Sequence, residues 1–135
     1  MTFQQLQIMI LYLLEFHTDE YMNILYGDDV PFMINDLNVY IEDGVSNIPS
    51  MNRFLLNIIY DVYSIIPIFE FYIYNKSRIR VHYYYTEVIN KHITVYIKTD
   101  SMTIQSASYK NHCLAYIDIL LKLNNANIDL KQFER

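Results

Sequence analysis

His112 stands directly before Cys113, and a cysteine next to a histidine is the minimal pair for a thiol nucleophile and its base. Adjacent helical positions do not face one another, and Cys113 falls on the apolar stripe of its segment, so the pair reads as a buried, inert thiol. Glu15, His17 and Asp19 lie close enough in sequence to offer metal ligands. No Cys-x-x-Cys or His-x-x-x-His accompanies them, and His17 extends the apolar face of its helix. With two glycines, Gly27 and Gly44, the chain cannot build a dinucleotide fingerprint or a phosphate-cradling loop, and it has no Gly-x-Ser-x-Gly elbow. No catalytic, metal or cofactor residue is assigned, and the chain reads as a non-enzyme. The residual enzymatic reading is acid/base chemistry by Asp or Glu with His.

Two constellations fit binding better than bond chemistry. If the strands pair in the simplest meander register, Tyr72, Tyr74, Arg78, Arg80, His82, Tyr84, Tyr96 and Lys98 share one sheet surface. Bases interleaved with aromatics on an open sheet stack nucleobases and neutralise phosphates, with Arg78, Arg80, Lys91 and Lys98 on the phosphates. The plainer reading is a solvated sheet, because Tyr and Thr are ordinary outward-facing strand residues.

The second constellation is acidic. Asp28, Asp29, Asp36, Glu42 and Asp43 gather around expected loops and helix ends, with Tyr26 and Tyr40 as anchors, and would meet a basic protein. Tyr26-Gly27-Asp28-Asp29 resembles the metal-binding signature of RNA-dependent RNA polymerases, where two adjacent acids hold catalytic magnesium. A polymerase needs several hundred residues and further acidic motifs, so the four residues are read as a helix stop and a turn, Gly27 tolerating the positive φ that ends helices.

Charge divides along the chain. Residues 1–70 hold ten acids against Arg53 alone, a net of −9, while the remainder holds nine bases against five acids, a net of +4. Such asymmetry favours macromolecular partners of opposite sign. At 135 residues with 53% hydrophobic content, 2 Gly and 3 Pro, the chain is expected to bury one core as a single domain across 1–135, acidic and helical to about residue 66 and basic from about residue 67. The lone Cys113 forms no internal disulfide, and no signal peptide or membrane span is read, so a reducing cytoplasm, bacterial or host, is expected.

The elements that must carry these residues follow from periodicity. Phe3, Leu6, Ile10, Leu13, Leu14 and His17 recur at helical spacing, a short helix is expected from Thr18 to Tyr26, and Pro31 to Ile41 reads as a further helix, with Val39 to Ile41 reading equally as extended. Ser50 is the expected cap of a helix bearing Phe54, Leu55, Ile58, Ile59 and Val62, stopped by Pro67. From Ile68 the pattern reads as a strand, with Phe69, Phe71 and Ile73 opposite Glu70, Tyr72 and Tyr74. A second strand sets Ile79, Val81, Tyr83 and Tyr85 against Arg78, Arg80, His82, Tyr84 and Thr86, and Asn90-Lys91 turns into a third with Ile93, Val95 and Ile97 inward. Met102 to Gln105 offers a short fourth, and Ser106 or Ser108 caps a final helix with Cys113, Ile117, Leu120 and Leu121 on its stripe.

The expected fold is α+β in two layers: N-terminal helices, a three- to four-stranded antiparallel meander, then a C-terminal helix. The expected function is occlusion of a macromolecular partner, the physical type of toxin-neutralising immunity proteins and of viral or phage proteins that block host defence. The alternatives are single-stranded nucleic-acid binding on the sheet, and a homodimeric chaperone or structural module built by joining the two oppositely charged halves or the sheet edges. The expected partner is a basic protein such as a toxin or nucleic-acid-processing enzyme, with no cofactor and no membrane.

Overall fold

A computed structural model of the chain describes Leu6 and residues 61–134. Leu6 is helical and buried. The remaining described residues belong to the compact unit Ile59–Arg135. The other N-terminal positions, including Glu15, His17, Asp19, Tyr26, Asp28, Asp29, Asp36, Tyr40, Glu42 and Asp43, lie outside the described residues, and the single-domain expectation extends over them.

The unit is α+β: helix α1 (Val62–Phe71), a π-helical turn (Tyr72–Lys76), strands β1 (Val81–Ile89), β2 (His92–Thr99) and β3 (Thr103–Gln105), helix α2 (His112–Leu123) and a 3₁₀ turn (Leu130–Phe133). The strands form one antiparallel sheet in the order β1-β2-β3.

The segment expected to be the first strand is helical. Asp61 adopts an extended backbone and its side chain accepts from Tyr63 N (3.0 Å), so Val62 opens a new helix and does not close one begun at Ser50. Pro67 sits inside α1 on the exposed side and does not stop it. The buried set Ile65, Ile68, Phe69, Tyr72 and Ile73 recurs at i, i+3, i+4, i+7 and i+8, the period of a helix. Ile65 to Tyr74 is apolar at every position but Pro67 and Glu70, so the same run also satisfies a period of two. The last turn widens, Ser77 N donating to Tyr72 O (2.9 Å), before the chain extends at Ser77.

Asn90 (φ 52°) and Lys91 (φ 66°) both occupy the left-handed region, the geometry of a two-residue type I′ hairpin, and they fix the register Ile89↔His92. β2 buries Ile93, Val95, Ile97 and Thr99 in strict alternation. Beyond β3, Ser106 is not a helix cap: its amide donates to Val95 O and its hydroxyl accepts from Val95 N, both at 2.9 Å, so it extends the sheet edge. The cap of α2 is Asn111, whose side chain accepts from Cys113 N (3.0 Å).

α2 is buried at every position except His112 and Lys122, a wider apolar surface than the expected stripe, and it packs against β2, β3 and α1. Its one buried charge, Asp118, accepts from Ala107 N (2.7 Å) and the Tyr109 hydroxyl (3.3 Å) and lies 3.5 Å from Lys122 Nζ. That carboxylate ties the strand-to-helix connection to the helix it precedes. Burial, reinforced by Asp118, pushes the Tyr109 hydroxyl well above its usual pKa and keeps it a neutral donor. At the far end of α2, Asn124 and Tyr72 exchange hydrogen bonds of 2.8 and 3.0 Å, joining the ends of the two helices.

Candidate partner-binding face

The sheet has two unequal faces. α2 covers one through β2 and β3; the other carries Tyr83, Tyr85 and Glu87 from β1, Thr94, Tyr96 and Lys98 from β2, and Thr103 and Gln105 from β3. Tyr85 and Tyr96 are register partners, stacked with ring centroids 4.8 Å apart and planes 8° from parallel. Tyr83 continues the row, 6.2 Å from Tyr85 and tilted by 33°. Tyr83 and Tyr85 remain 52% and 46% exposed, so roughly half of each ring is open to a partner. Loss of surrounding water and the nearby Glu87 carboxylate raise the Tyr96 hydroxyl pKa. Lys98, opposite Tyr83 in the register, is the single Lys or Arg among the described strand residues of this face, which Ile89 and His92 close at the hairpin end.

This face differs from the expected one at its centre. The β1–β2 register slips between Val81 and Tyr83, two steps on β1 matching one on β2, which makes His82 the extra residue of a β-bulge. A one-residue insertion turns every later side chain to the opposite face. Tyr84, Thr86 and Val88 therefore share the face of Ile97, Val95 and Ile93, while Tyr83 and Tyr85 turn outward. Tyr84 packs edge-on to Phe69 (centroids 5.2 Å apart, 82°), and its hydroxyl donates to Glu70. Burial first, then Glu70, raises its pKa.

Tyr72 is also withdrawn, buried at the end of α1 against Asn124. Tyr74 is half-exposed in the π-helical turn. Arg78 and Arg80 are exposed in the segment before β1, and Lys91 is exposed at the hairpin tip. His82, exposed at the bulge, is hydrogen-bonded to Asp100. Of the nine expected residues, Tyr96 and Lys98 stand on the open face proper, and Tyr83 and Tyr85 are the aromatics that the alternation counted from Val81 assigns to the core. Counting back from the Asn90-Lys91 turn finds them: an inward Ile93 requires an inward Val88, and steps of two reach Tyr84.

Cys113 is 1% exposed, and burial pushes its thiol up to about 12, far from the thiolate a nucleophile requires. Among the described residues, no three His, Cys, Asp or Glu side chains gather in a metal-binding group, and no helix is long and apolar enough to cross a membrane. The chain matches no family model, no curated protein and no solved structure.

Proposed function

We propose that the chain is a non-enzymatic binding protein that occludes a protein partner with the open face of its sheet. The observation that carries this reading is the row Tyr83–Tyr85–Tyr96, its first two rings about half exposed and Tyr85 stacked onto the less exposed Tyr96, on a face no described helix covers. Tyrosines supply large contact area at low entropic cost and are enriched where interfaces concentrate their energy. A protein is favoured over single-stranded nucleic acid by the charge on that face. Lys98 is balanced by Glu87, and Tyr72 and Tyr84 are turned away from any stacking base.

The net charge of −5, with its acids concentrated over residues 1–70, supports a partner that is itself basic, since long-range attraction raises the association rate. Neutralisation of a toxin or of a nucleic-acid-processing enzyme is the activity this physical type serves. It would work in a reducing cytoplasm, where the buried Cys113 stays a thiol.

The test is affinity capture from native lysate with the full chain beside its Tyr83→Ser/Tyr85→Ser variant, resolving bound material into protein and nucleic acid at two salt concentrations. A basic protein retained by the wild type and lost by the folded variant is the expected result. Nucleic acid that elutes with salt, or a protein retained equally by both, overturns the assignment.

A further inference from the structure

Among the described residues β1 is one of the two edges of the sheet, and the direction of its peptide groups alternates residue by residue. Ile93 exchanges both backbone bonds with Tyr109 (2.8 and 3.0 Å), and Val95 O accepts from Ser106 N (2.9 Å), so these β2 residues turn their peptide groups away from β1. Because that direction alternates, His92, Thr94, Tyr96 and Lys98 turn towards β1 and meet Ile89, Glu87, Tyr85 and Tyr83. Tyr84, Thr86 and Val88 are left aiming N–H and C=O outward, with no further strand beside β1 among the described residues.

The edge is also open in its side chains. Tyr85, Thr86, Glu87, Val88 and Ile89 are all exposed, Val88 by 56% and Ile89 by 60%. Edge strands are ordinarily guarded by Lys, Pro, short length or a bulge. β1 spans nine residues with no Lys or Pro, and its bulge lies at the His82 end, leaving Tyr83 to Ile89 regular.

We infer that this edge pairs with the β1 of a second copy of the chain, antiparallel about a two-fold axis at Thr86. Outward-facing residues must oppose outward-facing ones, which restricts the register. Centring on Glu87 sets that carboxylate against its own copy, and centring on Tyr85 brings Val88 against the bulged His82. Centring on Thr86 makes three hydrogen-bonded pairs: Thr86 with Thr86, and Tyr84 with Val88 twice. It also sets Tyr85 beside Glu87 and Tyr83 beside Ile89 of the second copy. The exposed apolar side chains Val88 and Ile89 then gain aromatic neighbours, no like charges oppose, and the two sheets become one with continuous open faces. This pairing does not rest on the assignment of the tyrosine face to a foreign partner.

The experiment is sedimentation equilibrium on the full chain over a concentration series, with residue-resolved amide exchange at both ends of the series. The expected result is a reversible dimer in which the amides of Tyr84, Thr86 and Val88 gain protection with concentration, while those of Tyr83, Tyr85 and Glu87, already bonded within the sheet, do not change. Thr86→Pro removes an outward N–H without touching the β1–β2 ladder and should weaken dimerisation by roughly tenfold or more. Should that variant not fold, the exchange pattern of the wild type decides alone. A monomer at every concentration overturns the inference, as does a dimer whose Tyr84, Thr86 and Val88 amides stay unprotected. So does protection gained only when an extended peptide is added.

Discussion

Tyr85 and Tyr96 face each other across the β1–β2 ladder with centroids 4.8 Å apart and planes 8° from parallel, on the side of the sheet that α2 does not cover. The rings lie face to face across the two strands, so each limits the rotamers open to the other before any partner arrives. Pre-ordering of this kind lowers the entropic cost of association.

The pair should therefore be visible in stability as well as in binding. Tyr85→Ala and Tyr96→Ala should each destabilise the fold by about 1 kcal/mol, and the double variant by less than the sum, with a coupling of about 0.5 kcal/mol. Urea unfolding of the four proteins gives the cycle. Additive losses would mean that the stack contributes no more than two separate tyrosines.

Asp118 makes the opposite case, a residue whose polarity is structural. Asp118→Ala strips the acceptor from Ala107 N and the Tyr109 hydroxyl at once and should cost about 2–3 kcal/mol, one part-buried and one buried donor losing their bonds. Tyr109→Phe removes one of those donors and should cost about 1 kcal/mol. The two variants should not add, since both act on one carboxylate. Comparison of their urea midpoints, singly and together, checks this.

The hairpin tip stores strain that can be relieved. Lys91 holds φ at 66°, a region that costs a side chain bearing Cβ but costs glycine nothing, and Asn-Gly is the favoured type I′ pair. Lys91→Gly should stabilise the fold by about 0.5–1 kcal/mol and leave the tyrosine face unaltered. A higher melting temperature with unchanged partner affinity is the expected outcome.

The elements that sequence makes legible are those with one dominant local signal. Asn90-Lys91 announces its turn, Ile93, Val95 and Ile97 alternate cleanly with polar residues, and the buried side of α2 includes Cys113, Ile117, Leu120 and Leu121 as expected. The run from Ile65 to Tyr74 is not legible in this way, because an almost wholly apolar segment satisfies periods of two and 3.6 alike, and Pro67 sits on a helical side that tolerates it. Tyr83 and Tyr85 are displaced from their expected face by a single residue, His82, whose bulge leaves no mark in the alternation before it. Asn111 is hidden as the cap by Ser106, an equally good capping residue whose hydroxyl is taken by Val95 N. The acidic positions from Tyr26 to Asp43 rest on sequence alone.

Alkaline pH should expose the buried acids of the core. In the folded chain Tyr84 and Tyr109 are raised above their ordinary value of 10.0, and Cys113 is raised from 9.0 to about 12, burial being the first cause in all three. A group whose folded pKa is raised stabilises fully below its unfolded pKa, and above it the unfolded chain releases its proton first, so folding stability falls as pH climbs. The decline should begin near pH 9 as the unfolded Cys113 ionises and steepen above 10 as the tyrosines follow. Urea midpoints measured from pH 7 upward should show that curve. Cys113→Ala should remove its first part, and Tyr84→Phe or Tyr109→Phe should flatten the part above pH 10 while lowering the plateau, because each also loses a hydrogen bond to a carboxylate. The same burial predicts that the native thiol reacts with a disulfide reagent far more slowly than the urea-unfolded one. Equal rates would place Cys113 at the surface, and a midpoint that holds constant through pH 11 would mean that Tyr84 and Tyr109 titrate alike in both states.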